Sequence, residues 1–132
     1  MIKVAVTELE YNKAKHIFDG AGDLQCLCAP ASESELVRFI RDNDISHVII
    51  GVDKYRSELY DALPDGGVIA RFGVGYDGVN LALSAKKGLL CTNTPGALDD
   101  SVAECAIGMI LNAARYFNSC TADMWKGIWK NR

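Results

Sequence analysis

The sequence predicts an α/β fold built on a five-stranded parallel sheet. Short runs of β-branched or aliphatic residues recur along the chain, and a segment of helical periodicity follows each of them. Glycine or proline separates most of these units. Right-handed crossovers place helices on both faces of such a sheet. We therefore expect a doubly wound, flavodoxin-like domain with strand order 2-1-3-4-5, followed by a helical extension.

Five runs form the predicted strands, at residues 2–6, 24–28, 47–50, 68–72 and 89–91. Thr7 with Glu10, and Ser32 with Glu35, have the spacing of a capping box, which predicts that a helix begins at each of them. Shorter helices are predicted at 57–63 and 80–87, ended by Pro64 and Gly88. The predicted buried faces of the first two helices are Tyr11, Ala14, Ile17 and Phe18, and Leu36, Val37, Phe39 and Ile40.

The last long helix differs from the others. It is predicted from Asp99 or Asp100 to about Phe117, and it is apolar nearly all round except for a polar stripe at Glu104, Asn112 and Arg115. A helix of this kind needs burial on most sides. We therefore expect its partner surface to lie outside this chain or in a second copy of it. Trp125 and Trp129, four residues apart, are predicted to anchor a terminal helix by packing.

Composition and charge narrow the possible partners. Hydrophobic residues make up 49% of the 132 residues and charged residues 23%, with a net charge of −3, and the lysines are scattered. This disfavours nucleic acid and anionic membranes as partners. The chain turns acidic at Glu8, too early for a signal peptide, so a cytoplasmic location is expected. The five cysteines form no CxxC motif, which favours reduced thiols over disulfides or a metal site.

The loop Gly73-Val74-Gly75-Tyr76-Asp77-Gly78 matches the pattern GxGxxG and leaves three interpretations open. A dinucleotide fingerprint normally occupies the first strand–helix turn, with an acid after the next strand, whereas this loop follows the fourth strand and Cys91-Thr92-Asn93 brings no acid. Backbone N–H groups at the carboxyl end of a strand, beside a helix N-terminus, suit a smaller anion such as a carboxylate. The glycines are also compatible with a tight turn alone.

Several motifs together resemble the D-isomer-specific 2-hydroxyacid dehydrogenase family, which includes phosphoglycerate and glycerate dehydrogenases. The resemblance covers nearly the whole chain, and the motifs keep their order and spacing. They are Val68-Ile69-Ala70-Arg71-Phe72-Gly73-Val74-Gly75-Tyr76-Asp77-Gly78-Val79-Asn80, Lys87-Gly88, Thr92-Asn93-Thr94-Pro95-Gly96, Ser101-Val102-Ala103-Glu104 and Gly127-Ile128-Trp129.

The resemblance implies a binding site for a small 2-hydroxy or 2-oxo acid. The backbone amides of Val74 and Gly75, beside Gly73, would bind the substrate carboxylate, and Gly51 with Val52 would line the same pocket. The complete enzyme would transfer hydride between this acid and NAD or NADP.

The resemblance also implies a division of the chain. Residues 1–95 would be the substrate-binding domain, and residues 96–132 the helical start of a nucleotide-binding domain that dimerises through the helix at 100–117. The family's own GxGxxG and its catalytic Arg, Glu and His would lie further on. We therefore expect no catalytic residue, bound cofactor or metal in this chain, and no activity from the chain by itself.

Two positions depart from the family pattern. Members that act on phosphorylated substrates often have an Arg-Ser pair where this chain has Ile50-Gly51, which puts a phosphoglycerate substrate in doubt. Many relatives have Thr near the cofactor where this chain has Asp99, whose side chain either contacts the cofactor or caps the helix. Arg71 either reaches a substrate carboxylate or, as buried arginines favour, pairs with an acid such as Asp77.

Two other classes of function compete with this interpretation. A flavodoxin would need a phosphate loop after the first strand, where Thr7-Glu8-Leu9-Glu10 presents carboxylates that repel phosphate. A phosphoacceptor receiver would need a lysine after the fifth strand, where the chain has Thr92-Asn93. A non-catalytic module that binds a small carboxylate or only dimerises remains the alternative.

Overall fold

The computed structural model describes residues 1–129. The chain divides into two compact units, Met1–Ala97 and Leu98–Arg132, each described separately below. Residues 130–132, the end of the predicted helical extension, lie outside the described residues. The strands are β1 Ile2–Thr7, β2 Leu24–Ala29, β3 His47–Ile50, β4 Val68–Arg71 and β5 Leu90–Thr92. The helices are α1 Glu8–Lys13, α2 Lys15–Asp19, α3 Glu33–Asp42, α4 Ser57–Ala62, α5 Leu81–Lys86, α6 Asp99–Arg115 and α7 Phe117–Trp125.

All five strands of the first unit are parallel, in the order β2-β1-β3-β4-β5, which confirms the predicted fold. Both faces of β1 are covered, because Val4, Ala5 and Val6 point alternately to opposite faces and are all buried. The parallel order brings the carboxyl ends of β1, β3, β4 and β5 to one edge of the sheet. The residues that follow those strands therefore meet at this edge.

The core of the first unit forms where α3 and α4 pack together beside the sheet. The 3.6-residue spacing of apolar side chains on α3 places Leu36, Val37 and Ile40 in this core, as predicted, while Phe39 is only partly buried. Tyr60 on α4 is the largest fully buried side chain. Its hydroxyl accepts a hydrogen bond from the backbone N–H of Asn80 at 2.9 Å, which links α4 to the start of α5.

The first helix was predicted wrongly, because it is not continuous and its expected apolar face is not buried throughout. Ala14, with φ −134° and ψ 33°, separates α1 from α2, and Ile17 is 60% exposed. The aromatic rings of Tyr11 and Phe18 stack at 5.7 Å, and Phe18 also lies 6.3 Å from the Phe72 ring. Because of this break, Phe18 packs between Tyr11 and Phe72, which follows β4, and the aromatic side chains do not lie along one continuous helical face.

Neither predicted capping box forms. The Thr7 hydroxyl donates to the Glu10 carboxylate at 2.5 Å instead of accepting a hydrogen bond from a helix amide. Thr7 is still part of β1, and its hydroxyl also lies 3.4 Å from the carbonyl oxygen of Ile49 on β3. Ser32 likewise makes no capping hydrogen bond at the start of α3, and its hydroxyl lies 3.4 Å from that of Ser34.

The second unit contains α6 and α7. The predicted helix ends two residues earlier than expected, because Tyr116 adopts the left-handed conformation with φ 56° and α7 begins at Phe117. The Asn118 N–H donates to Asn112 Oδ1 at 3.1 Å across this turn. Packing by Trp125 and Trp129 was predicted wrongly, since α7 ends at Trp125 and both side chains are exposed. Among residues 1–129, none of the helices has the length and hydrophobicity needed to cross a bilayer.

We predict that Tyr60→Phe lowers the free energy of unfolding by about 1 kcal/mol, because the Asn80 N–H loses its acceptor. Urea denaturation of the 132-residue chain measures this change. Tyr76→Phe is the matched control, since Tyr76 is 52% exposed and its hydroxyl makes no hydrogen bond in the described residues. Equal stability of the two variants would contradict the prediction.

Candidate active-site edge of the sheet

The candidate site lies where the carboxyl ends of β1, β3, β4 and β5 converge. In a sheet of this order the connections leave in opposite directions from β1 and β3, and the crevice between these two strands is the usual place for a ligand. Thr7 ends β1 and Glu8 to Glu10 follow it, Gly51 and Val52 follow β3, and Gly73 to Gly75 follow β4. The structure therefore brings the substrate-site residues predicted from sequence to one edge.

Glycine is required at the first position of the loop. Gly73 has φ +146°, a conformation that side-chain-bearing residues rarely adopt, and the Arg71 guanidinium lies against its Cα. A Cβ at Gly73 would lie 2.6 Å from Arg71 Nη1. Arg71 also donates a hydrogen bond to the Phe72 carbonyl oxygen. The predicted ion pair between Arg71 and Asp77 does not form among the described residues, because the guanidinium folds back onto its own loop.

Two hydrogen bonds from the segment after β5 hold the glycine loop. The Asn93 side-chain amide donates from Nδ2 to the Val74 carbonyl oxygen at 2.8 Å, and the Thr94 N–H donates to the Gly73 carbonyl oxygen at 3.0 Å. Within residues 1–129, the N–H groups of Val74 and Gly75 donate to no protein acceptor. With its carbonyls engaged and two amides free, the loop offers donors to an anion.

The far end of the loop packs on the segment after β3. A Cβ at Gly78 would lie 3.0 Å from the Asp53 carbonyl oxygen and 3.2 Å from that of Val52. At the near end, the Phe72 N–H donates to the Ile50 carbonyl oxygen at 2.9 Å. Gly51 itself is buried, whereas Val52 is 70% exposed. The β3 segment is thus fixed against the loop on both sides of Gly51.

Glu10 belongs to the same edge, although sequence reasoning assigned it only to helix capping and to the repulsion of phosphate from a flavodoxin-type loop. Glu10 is buried, and its side chain is only 4% exposed. Thr7 donates to Oε2, and Lys13 Nζ lies 3.5 Å from Oε1. A Cβ on Gly51 would lie 2.6 Å from the Glu10 carboxyl carbon. The sequence could have indicated Glu10 only as an acidic residue three positions after the end of the mainly apolar strand β1.

Burial raises the pKa of the Tyr55 hydroxyl, and the carboxylates of Asp53, Glu10 and Glu33 raise it further. Tyr55 follows β3, is only 6% exposed and donates to the Ala31 carbonyl oxygen at 3.2 Å. The phenol therefore stays neutral at physiological pH.

A cavity of about 170 Å³ opens on the β5 side of the glycine loop. Its lining is mainly apolar and contains no lysine or arginine. Asn93 both lines the cavity and holds the loop carbonyl of Val74. The lining residues are Tyr76, Val79, Leu81, Cys91, Thr92 and Asn93.

The helix after the loop does not add the positive end of a helix dipole to the site, contrary to the sequence-based expectation. Five residues separate Gly75 from α5, and the Asn80 side chain already accepts a hydrogen bond from the Leu83 N–H at 3.0 Å. α5 is also only six residues long. An anion at this loop would be held by the loop amides themselves.

The loop does not fit a dinucleotide. A dinucleotide fingerprint places the pyrophosphate on the N-terminus of the helix that follows and the ribose on an acid after the next strand. Here Asn80 caps that helix, and Asn93 stands after β5 with its amide engaged by Val74. Among residues 1–129, no three His, Cys, Asp or Glu side chains are grouped so that they could hold a metal ion.

Asp99 lies in the second unit, as the first residue of α6. It is exposed, and Leu98 rather than Asp99 occupies the N-cap position, so the predicted capping role is not formed. Asp99 and Asp100 both lie in the first helical turn, where a negative charge is favourable next to the free amides.

Comparison with known proteins places these features in a family. The chain is 37% identical over 100 residues to a glyoxylate reductase of Thermofilum pendens, covering 76% of this chain and 29% of that protein. It is 30% identical over 132 residues to a D-3-phosphoglycerate dehydrogenase of Methanocaldococcus jannaschii, covering all of this chain and 25% of that protein. The chain thus spans less than a third of the length of these relatives.

Solved structures agree with this fold. An NADPH-dependent glyoxylate/hydroxypyruvate reductase of Sinorhizobium meliloti, in complex with NADP and malonate, superposes with a TM-score of 0.71 at 26% identity, over 98% of this chain and 41% of that one. A D-lactate dehydrogenase of Aquifex aeolicus shares the fold, with a TM-score of 0.78 at 24% identity, over 98% of this chain and 39% of that one.

Residues 4–128 match the family described as D-isomer specific 2-hydroxyacid dehydrogenase, catalytic domain. The order of the motifs, the parallel sheet and the loop that follows β4 agree with this match. The chain belongs to the D-isomer specific 2-hydroxyacid dehydrogenase family.

Proposed function

We propose that this chain supplies the substrate-carboxylate site of an NAD- or NADP-dependent D-2-hydroxyacid dehydrogenase. The observation that carries the proposal is the pair of free N–H groups at Val74 and Gly75, on a loop whose carbonyls are held by Asn93 and Thr94. Two adjacent backbone donors on a loop that is held in this way can bind the two oxygens of a carboxylate. Gly51, Val52 and Gly73 complete the proposed site.

In the complete enzyme, a bound nicotinamide cofactor would supply the exchange of hydride with C2 of a 2-hydroxy or 2-oxo acid, and the hydroxyl proton would be exchanged with a catalytic residue outside this chain. This chain's residues bind and orient the acid through its carboxylate. We assign residues 1–95 to substrate binding and residues 96–132 to the start of the nucleotide-binding part, with Asp99 as a candidate contact to the cofactor. A cytoplasmic location accords with the free state of all five cysteines.

Titration of the ¹⁵N-labelled 132-residue chain with oxamate, an analogue of a 2-oxo acid, tests the proposed site. The amide resonances of Val74 and Gly75 should shift in a saturable way, because both N–H groups gain a charged acceptor. Lactamide, which replaces the carboxylate of lactate with a neutral amide, is the control ligand and should produce much smaller shifts. Unchanged Val74 and Gly75 resonances at saturating oxamate would refute the proposal.

We also expect Asn93→Asp to weaken oxamate binding about tenfold, the equivalent of about 1.4 kcal/mol. Aspartate cannot donate to the Val74 carbonyl oxygen and places a negative charge beside the loop. The same NMR titration gives the dissociation constant. Asn118→Asp makes the same change of charge on the exposed surface of α7 and should leave the constant unaltered. An equal effect of both substitutions would contradict this prediction.

We further propose that the chain forms a homodimer through the helix at 100–117. The support is the exposed apolar surface of α6, which costs free energy while it faces water. Its large apolar side chains are each more than half exposed and include Val102, Ile107, Met109, Ile110 and Leu111.

Sedimentation equilibrium tests this dimer. The unmodified chain should sediment as a dimer, and Ile110→Glu should shift it towards monomer, because a charge buried in an apolar interface without a partner is unfavourable. Glu104→Gln on the polar stripe is the control and should preserve the dimer. A monomeric unmodified chain at every concentration would overturn the proposal.

A further inference from the structure

The Glu10 carboxylate occupies the place that a side chain at position 51 would need. A Cβ on Gly51 would lie 2.6 Å from Glu10 Cδ and 2.8 Å from Oε2, and it would overlap Oε1. Distances of this size force a displacement of the carboxylate. Position 51 can therefore carry no side chain while Glu10 keeps its position, and the charge nearest to this part of the site comes from Glu10.

The position of Glu10 is fixed from two sides. The Thr7 hydroxyl donates to Oε2 at 2.5 Å, and Lys13 Nζ lies 3.5 Å from Oε1. The two partners differ in exposure, since the Glu10 side chain is 4% exposed and the Lys13 side chain 52% exposed. Water screens the exposed ammonium more strongly than the buried carboxylate, so Lys13 offsets only part of the negative charge.

The Gly51 backbone separates this carboxylate from the glycine loop. The neighbouring residues touch the loop, because the Ile50 carbonyl oxygen accepts from the Phe72 N–H at 2.9 Å and the Val52 carbonyl oxygen is 3.2 Å from a Cβ on Gly78. The Glu10 carboxylate therefore lies against Gly51, a residue of the proposed site, and its charge acts on the part of a ligand that lies beside Gly51.

On the other side of the loop, the described lining of the cavity contains no cation that could hold a second anionic group. The cavity there is lined mainly by apolar side chains, including Val79, Leu81 and Cys91. The Arg71 guanidinium lies against Gly73, next to the end of the loop that would hold the carboxylate. Arg71 is thus the cation beside Gly73, and the described lining of the cavity adds no further cation.

We infer that Glu10 is a specificity-determining residue, which makes the site select 2-hydroxy and 2-oxo acids with an uncharged tail over acids that carry a second anionic group. The inference rests on the proposed function, because it assumes that the loop amides bind the substrate carboxylate. A distal phosphate or carboxylate beside Gly51 would face the buried charge of Glu10, which Lys13 offsets only in part. A hydrogen atom, methyl group or hydroxymethyl group as the tail meets no such repulsion.

The test compares two ligands that differ only in a phosphate, D-glycerate and D-3-phosphoglycerate, by NMR titration of the Val74 and Gly75 amides in the 132-residue chain. D-Glycerate should bind at least about tenfold more tightly than D-3-phosphoglycerate. Glu10→Gln, which keeps the size of the side chain and removes its charge, should reduce this ratio about tenfold, mainly by tightening the binding of D-3-phosphoglycerate.

A second variant has the opposite expected sign. Lys13→Gln on the exposed surface of α1 removes the partial compensation of Glu10, so the preference for D-glycerate should increase. Because the Lys13 side chain is 52% exposed, this variant should fold normally, and it keeps the test decisive if Glu10→Gln fails to fold. Glu8→Gln, an exposed carboxylate two residues before Glu10, is the control and should leave the ratio unchanged.

The outcomes separate the two proposals. If neither ligand shifts the Val74 and Gly75 amides of the unmodified chain, the proposed function fails. If D-glycerate binds but D-3-phosphoglycerate binds equally well, or if neither Glu10→Gln nor Lys13→Gln changes the ratio, the assignment of specificity to Glu10 is overturned. Asp53 is a second carboxylate after β3, and it is exposed. If Asp53→Asn changes the ratio of the two affinities and Glu10→Gln does not, the assignment to Glu10 is also overturned.

Discussion

The hydrogen bonds that Asn93 and Thr94 donate to the glycine loop determine what the loop can bind. A flexible glycine loop can expose carbonyl oxygens or amides, and a ligand would have to select one arrangement at an entropic cost. By engaging the carbonyl oxygens of Gly73 and Val74, the segment after β5 leaves the next amides as the free groups. The parallel order of β4 and β5 is what brings this segment beside the loop.

The fold could be predicted from sequence because each of its signals is local. Aliphatic runs, helical spacing and glycine or proline breaks identify the strands and helices, and the handedness of crossovers restricts their order. The errors arise where tertiary contacts outweigh local patterns. Thr7 fits a helix cap, yet its hydroxyl turns to a buried carboxylate, and the helix expected to run unbroken divides at Ala14 so that aromatic rings can pack on Phe72.

The candidate site was predictable only in part, for the same reason. The GxGxxG pattern locates the loop, and the family resemblance identifies Val74 and Gly75 as donors. No local pattern shows which groups hold the loop, since Asn93 is 19 residues from Val74 in sequence, or that a carboxylate after β1 fills the space beside a glycine after β3. Contacts between residues this far apart in the sequence depend on the strand order, so they are known only from the three-dimensional structure.

The contact between Gly51 and Glu10 couples two positions that are 41 residues apart in the sequence. Because a side chain at 51 would occupy the present place of the carboxylate at 10, a residue larger than glycine at 51 requires the Glu10 side chain to turn away from Gly51 or to be shortened. A substitution at 51 therefore also changes where the charge at 10 lies. Such a constraint would slow evolutionary conversion between neutral and anionic ligands, even though each end state folds on the same scaffold.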